Sequence, residues 1–240
     1  MNRAMFASAS GMAAQQKNLD VVADNLANAD VAGFKGAQAT FAAIGGNTQL
    51  GTAATGTRAN VAQGKLEKSG GAFDIAIDGA GFFAVDRDGE RGYTRAGSFS
   101  RAADGTLRNA DGWTLHGVRL PQNAAMVTVA PDGAVRVRGS TGTERIVAHI
   151  ALAGFDAAEK LRPIGSAVYA ATPESGRART LPAGGDRQSH IAFGMLEKSN
   201  VSIVESMMAI LAAQRAYEAN AKGVQAADEM LRIANNLHRS

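Results

Sequence analysis

The sequence predicts an α+β protein in which N- and C-terminal helices form a coiled-coil domain, with an antiparallel β domain of short hairpins inserted between them. Three observations predict this fold class: a heptad pattern of apolar residues near each terminus, a two-residue periodicity in the centre, and repeated Asp-Gly pairs between the central apolar runs. The expected limits are 1–36 for the N-terminal helical part, 37–70 for a Gly- and Ala-rich linker or extended arm, 71–191 for the β domain, and 192–240 for the C-terminal helix that completes the coiled-coil domain.

The N-terminal helix has a regular but weak apolar pattern. Its first row recurs every seven residues and consists of Met5, Met12, Leu19 and Leu26. Its second row, three residues later, consists of Ser8, Gln15, Val22 and Ala29. Because the second row contains polar residues, we expect this helix to gain its stability from packing. Asn2 is the expected N-cap, and Asn25, Asn28 and Gly33 are expected to end the helix.

Residues 37–70 lack a helical or strand periodicity and contain several glycines, which is why they are predicted to be a linker or an extended arm. From Phe73 onward the apolar period is two. Asp-Gly, which supplies the positive φ values of two-residue hairpins, occurs five times between apolar runs. Trp113 is the expected core anchor, and Val135 and Val137 are expected to face inward while Arg136 and Arg138 face outward.

The last part of the β domain is predicted to be an irregular return path. Pro163, Pro173 and Pro182 interrupt it, together with several glycines. The C-terminal helix follows a short predicted strand at Phe193–Leu196, and Ser202 and Glu205 have the spacing of a capping box. Its apolar seam alternates steps of four and three residues: Ile203, Met207, Ile210, Gln214, Tyr217, Ala221, Val224, Asp228 and Leu231. At 1.5 Å per residue this helix is about 50 Å long, so an apolar stripe of that length is expected to need a partner.

Composition and motifs argue against several function classes. The net charge is +3, the arginines are scattered, and there is no cysteine, so a nucleic-acid patch is not favoured and a thiol site is excluded. Gly79-Ala80-Gly81 resembles a nucleotide-binding loop, but a strand follows it, so a hairpin is expected there. His116, His149, His190 and His238 lack metal-ligand spacing, and Asp86 with Asp88 is expected to form a turn rather than a calcium loop. We therefore expect no enzyme activity, no cofactor and no metal. No secretory signal or membrane-spanning segment is predicted.

Three stretches resemble the flagellar rod and hook axial proteins. Asn25–Lys35 (NLANADVAGFK) is similar to that family's N-terminal signature. Gly79–Phe83 (GAGFF), with Tyr93–Phe99 (YTRAGSF), is similar to the start of its central domain. Gly194–Val201 (GMLEKSNV), with Gln214–Glu218 (QRAYE), is similar to its C-terminal signature.

The resemblance implies a structural subunit of the flagellar basal-body rod, the axial drive shaft that transmits torque to the hook. It implies helical self-assembly, with partners among other rod and hook axial proteins, the flagellar ring proteins and the type III export apparatus, in a basal body that spans the periplasm. The expected assembly interface consists of Met5, Met12, Leu19, Val22, Leu26, Ile203, Met207, Ile210, Tyr217, Val224 and Leu231.

Three alternatives stay open at this point. The resemblance is strongest to subunits of the distal part of the rod, with the proximal part as the alternative. From a different function class, it is a β-domain enzyme or cell-wall-binding module with a coiled-coil oligomerisation stalk. Alternatively, the two seams form an ordinary helix pair within a monomer.

Overall fold

The computed structural model describes residues 3–45, 51–139, 143–184 and 189–237. The expected N-cap Asn2 and the last histidine, His238, lie outside these residues. The chain divides into two compact units: a helical unit of residues 1–29, 37–58 and 201–240, and a β unit of residues 30–36 and 59–200. Residues 37–70, which were expected to form a linker or arm, are therefore divided between the two units: 37–58 belong to the helical unit and 59–70 to the β unit.

The helical unit contains two long helices and a pair of strands. Helix α1 is Arg3–Ala27 and helix α2 is Ile203–Leu237. Strands β1 (Ala37–Ile44) and β2 (Gly51–Ala59) pair with each other, and β1 packs on α1. About half of the predicted arm therefore forms two paired strands, Ala37–Ile44 and Gly51–Ala59.

The β unit is built from sixteen short strands among its described residues. In chain order they are β3 (Leu66–Lys68), β4 (Ile75–Asp78), β5 (Phe82–Arg87), β6 (Glu90–Thr94), β7 (Ser100–Arg101), β8 (Thr106–Arg108), β9 (Thr114–Arg119), β10 (Ala124–Val129), β11 (Ala134–Gly139), β12 (Glu144–His149), β13 (Leu152–Gly154), β14 (Arg162–Gly165), β15 (Val168–Ala170), β16 (Arg179–Leu181), β17 (His190–Phe193) and β18 (Met195–Glu197). One 3₁₀ helix, Ala158–Lys160, lies between β13 and β14.

These strands form one large sheet and several small ones. The large sheet has the order β14-β15-β6-β5-β9-β8-β7, and β13 joins it by pairing with β5 and with β16. Strands β10, β11 and β12 form a second sheet, while β4 pairs with β17 and β3 with β18. All registered pairs are antiparallel, as the fold class predicts.

Four of the five Asp-Gly pairs connect paired neighbouring strands. The clearest is Asp88-Gly89, where φ is +53° and +84°, as a tight hairpin turn requires. The expectation of a hairpin at Gly79-Ala80-Gly81 is wrong, because β4 and β5 pair with different strands. Both glycines there have positive φ, and they let the chain cross from one sheet to another.

The core of the β unit is formed by large buried side chains. Trp113 is 1% exposed and Phe83 is fully buried, which confirms Trp113 as a core anchor. Val135 and Val137 are buried and Arg136 and Arg138 are exposed, which confirms the predicted alternation on β11. Such a core resembles an organic crystal in its packing, so its stability depends on each of these side chains.

The return path after residue 153 is more regular than predicted. Four short strands, β14 to β17, form within it, and β17 pairs in register with β4 from Ile75 to Asp78. Pro163 lies inside β14 opposite Tyr169. A proline is tolerated there because β14 is the edge of the large sheet, where no further strand needs its missing N–H.

Candidate subunit interface and a buried ionic cluster

The two helices of the helical unit pack antiparallel through small residues. On α2 the buried positions are Ser206, Ala213 and Ala227, spaced at multiples of seven. A Cβ added to Gly223 would lie 2.7 Å from the Ser8 Oγ atom, so the two backbones approach closely at that point. A seam of small side chains permits this short separation between helices.

On α1 the matching surface is also made of small or short side chains. Ala14 and Val21 are its buried residues, again seven positions apart. A Cβ added to Gly11 would lie 2.9 Å from the Asn220 Nδ2 atom. The intramolecular contact therefore has a heptad spacing, but apart from Ser8 it uses residues adjacent to the predicted rows.

The eleven residues predicted for the assembly interface flank this contact. Ile203, Met207, Tyr217 and Leu231 on α2 are 40–53% exposed, while Ile210 and Val224 are half-buried. The five on α1, Met5, Met12, Leu19, Val22 and Leu26, are half-buried. The predicted residues lie beside the contact rather than in it for a physical reason. Periodicity identifies a stripe of large apolar residues, whereas two helices in close contact require small ones. Their role in assembly stays a prediction.

Helix α2 presents further large apolar side chains to solvent. The most exposed are Val204 (68%), Met208 (66%), Leu211 (57%), Met230 (57%) and Ile233 (51%). Single exposed apolar residues are ordinary, but a helix that exposes this many is typical of an interaction surface. We call these five residues, together with Ile203, Met207 and Leu231, the apolar face of α2.

The start of α2 is fixed by its predicted cap. Ser202 precedes the helix, and its Oγ accepts a hydrogen bond from the Glu205 backbone N–H at 3.3 Å. This is the contact that the Ser202–Glu205 spacing predicts. The apolar face therefore begins at a defined point, one residue after the cap.

Within the β unit, the charged side chains of Lys35, Arg95 and Glu197 form a buried cluster. The Lys35 Nζ atom lies 2.5 Å from Glu197 Oε1, and Arg95 NH1 lies 3.2 Å from Glu197 Oε2. The side chains of Lys35 and Glu197 are fully buried, and that of Arg95 is 4% exposed. Burial lowers the pKa of Lys35 and of Arg95, and in both cases contact with Glu197 opposes the shift.

Hydrogen bonds tie the same cluster to the backbone. Glu197 Oε1 accepts the Gly64 N–H at 2.7 Å, and the Glu197 carbonyl accepts the Gly33 N–H at 2.7 Å. Asn200 Oδ1 accepts the Gly36 N–H at 2.8 Å. The cluster therefore joins three chain segments that are far apart in sequence. Lys35, Arg95 and Glu197 each lie in one of the three family-like motifs, but the sequence predicted no role for them. The signal that could have identified the cluster is a charged residue within a motif of mostly small and apolar residues.

The other charged groups were also compared with the requirements of a metal site. No cluster of metal-ligating side chains occurs among the described residues. His116 contacts Asp86 at 2.5 Å on an exposed surface, where Arg91 also binds Asp86 at 2.9 Å. None of the described helices is sufficiently long and apolar to cross a membrane.

Three family profiles match the chain in order. "Flagella basal body rod protein" matches residues 5–35, "Flagellar hook protein FlgE/F/G D1 domain" matches 76–137, and "Flagellar basal body rod FlgEFG protein C-terminal" matches 193–237. Each profile contributes one member of the buried ionic cluster: Lys35, Arg95 and Glu197.

Curated relatives match over nearly their whole length. The flagellar basal-body rod protein FlgG of Borreliella burgdorferi is 34% identical, with all of both chains covered. That of Agrobacterium fabrum is 32% identical over 97% of this chain and 98% of its own. FlgF of Caulobacter vibrioides is 32% identical over 98% of this chain and 97% of its own. The chain is therefore a member of the flagellar basal-body rod protein family.

Proposed function

We propose that this chain is a structural subunit of the flagellar basal-body rod, in its distal part, and that it assembles with further copies into the axial shaft that transmits torque to the hook. It is a structural protein, not an enzyme. The observation that carries the proposal is the apolar face of α2, which no other part of the described chain covers.

The arrangement of the helical unit supports assembly through this face. Within one subunit, α1 and α2 use their small residues against each other, so the large side chains remain available for another chain. Burying one large apolar side chain stabilises a contact by about 1.5–3 kcal/mol. Several such side chains along one helix suffice for a stable contact between subunits, and we propose that they complete a coiled-coil packing in the assembled rod.

The same assembly accounts for the proposed partners and location. The relatives are named as basal-body rod proteins, and the rod resemblance implies neighbouring axial proteins, ring proteins and the type III export apparatus as partners. The ends of the shaft would contact other axial proteins through the same helices. The basal body is the corresponding location.

The proposal is tested by placing a charge on the apolar face. Met207 is 53% exposed, so Met207→Asp leaves the new carboxylate hydrated in the free subunit but buries it in a subunit contact. We expect the variant protein to be made and to fold, while cells lack rods and do not swim. The matched control is Ala219→Asp on an exposed position outside the apolar face. Normal rods and motility with Met207→Asp would contradict the proposal.

A further inference from the structure

The β unit contains five Asp-Gly pairs, and this dipeptide carries a covalent reactivity of its own. The pairs are Asp78-Gly79, Asp88-Gly89, Asp104-Gly105, Asp111-Gly112 and Asp132-Gly133. The main-chain nitrogen of the glycine can attack Cγ of the aspartate side chain, and the missing Cβ of glycine leaves this path open. A nitrogen–Cγ bond forms, water leaves, and a five-membered succinimide results. When water reopens the ring at the main-chain carbonyl, the product is isoaspartate, an isomer whose main chain runs through Cγ.

The five pairs differ in their exposure to solvent. Asp88-Gly89 is the one pair in which both residues are exposed, since the glycine of every other pair is buried or half-buried. A Cβ added to Gly89 would meet no atom within 4 Å, whereas one added to Gly133 would lie 2.5 Å from the Ile150 carbonyl oxygen. Ring closure requires the main chain to rotate, and the surroundings leave room for this rotation at Gly89.

The reacting glycine nitrogen is held at the other four pairs. In three of them the glycine N–H donates to the main-chain carbonyl three residues earlier, at 2.9–3.2 Å: Gly105, Gly112 and Gly133. In the fourth, the Gly79 N–H donates to Gln63 Oε1 at 3.0 Å. Within the described ranges the Gly89 N–H has no hydrogen-bond acceptor. Its nitrogen is therefore free to attack without first breaking a hydrogen bond.

The aspartate carboxyl groups are also held to different degrees. Asp104 Oδ1 accepts hydrogen bonds from the Thr106 hydroxyl at 2.7 Å and from the Thr106 N–H at 3.0 Å. These two contacts lower the pKa of Asp104 and favour its ionised form, which is the poorer target for attack. Asp132 Oδ1 accepts the Ala134 N–H at 3.0 Å. The Asp88 carboxyl has no hydrogen bond or ion pair to any described residue.

From these observations we propose that Asp88 is the site at which the folded chain converts to isoaspartate, ahead of the other four Asp-Gly pairs. The conversion adds one methylene to the main chain of a two-residue connection, in which Arg87 and Glu90 are paired across β5 and β6. A tight hairpin turn has no place for an additional main-chain atom, so the modified turn cannot keep this geometry. The product is a substrate for enzymes that methylate isoaspartyl carboxylates. The inference is independent of the proposed function.

The test follows the full-length chain during incubation at neutral pH. Isoaspartate at each pair is located by proteolysis and electron-transfer mass spectrometry, and the total is measured with an isoaspartyl methyltransferase as the probe. In the folded chain we expect Asp88 to isomerise about tenfold faster than Asp104 or Asp132, each of which must first break at least two hydrogen bonds. In concentrated urea the turns are absent, so all five pairs should react at similar rates.

Two variants separate the turn from the dipeptide. Asp88→Glu would have to close a six-membered ring, so it should abolish the signal at this turn and leave the other four pairs unchanged. Thr106→Val keeps a β-branched side chain but removes one hydrogen bond to Asp104, so it should raise the Asp104 rate and leave the Asp88 rate unchanged. The proposal is overturned if Asp88 is no faster than the other pairs in the folded chain, if its advantage persists in urea, or if Thr106→Val leaves the Asp104 rate unchanged.

Discussion

The β unit and the helical unit treat large apolar side chains in opposite ways. In the β unit, residues such as Phe83, Val85 and Trp113 are at most 1% exposed. In the helical unit, the buried positions among the described residues belong to Ala14, Val21, Ser206, Ala213 and Ala227, while α2 exposes Met207, Met208, Leu211 and Met230. The β unit thus contains its own core, whereas the helical unit leaves several large apolar side chains exposed. This difference is what a subunit needs if it must fold alone and still assemble.

The largest effect is expected when the β unit is truncated at the limits that the sequence predicts, which tests whether it contains its own core. A fragment of residues 71–191 lacks β3, β18 and both Lys35 and Glu197, and it truncates β17. We expect it not to unfold cooperatively, because Arg95 is left buried without a carboxylate and β4 loses part of its partner strand. A fragment of residues 30–200 should give one cooperative β-type transition by circular dichroism. A cooperative transition of the shorter fragment would show that the ionic cluster is dispensable.

A pair of alanine substitutions compares the two units directly. Phe83→Ala removes a fully buried ring and should lower the free energy of unfolding by about 3–5 kcal/mol. Met208→Ala removes a side chain that is 66% exposed and should change it by less than about 0.5 kcal/mol in the free subunit. Urea denaturation of both variants measures the contrast. Similar losses would mean that α2 is already covered within the monomer.

Glu197→Gln sharpens the role of the buried cluster. The amide keeps the shape of the side chain but leaves Lys35 and Arg95 without a counter-charge, so we expect a loss of about 3 kcal/mol in the unfolding free energy of the β unit. The control is Glu67→Gln, because Glu67 pairs with Lys65 on the surface, where such pairs contribute little to stability. If both variants unfold at the same urea concentration, the buried cluster does not stabilise the fold.

The smallest expected effect concerns the small-residue contact between the helices. Ala213 is 2% exposed, and Ala213→Leu overpacks the seam at a cost of about 1–3 kcal/mol. Ala212→Leu, on the exposed neighbouring position, should be neutral within about 0.5 kcal/mol. Amide hydrogen exchange of α1 residues reports the result, since α1 depends on this contact. Faster exchange with both variants, or with neither, would argue against a specific small-residue seam.

The sequence predicted the α+β class and the antiparallel hairpins because their signals are local. The Asp-Gly turns, the alternation at Val135 and Val137 and the Ser202 cap each depend on a few neighbouring residues. The family resemblance likewise rested on contiguous motifs, and the comparisons confirmed it. Whether the predicted interface residues meet another subunit stays a prediction that Met207→Asp addresses.

Only the tertiary structure decided which faces of the two helices are in contact and which residues hold the distant segments of the β unit together. Hydrophobic periodicity marks large residues and gave the predicted rows, but two backbones in close contact select the adjacent small residues, such as Gly11 and Gly223. The ionic cluster joins Lys35 to Glu197 across 162 positions of sequence, and no local rule relates charges that far apart. The turn at Gly79 failed as a hairpin prediction for the same reason, since the partner of β4 is β17 near the other end of the β unit. Local chemistry therefore determined the elements, and long-range packing determined which of their surfaces are buried.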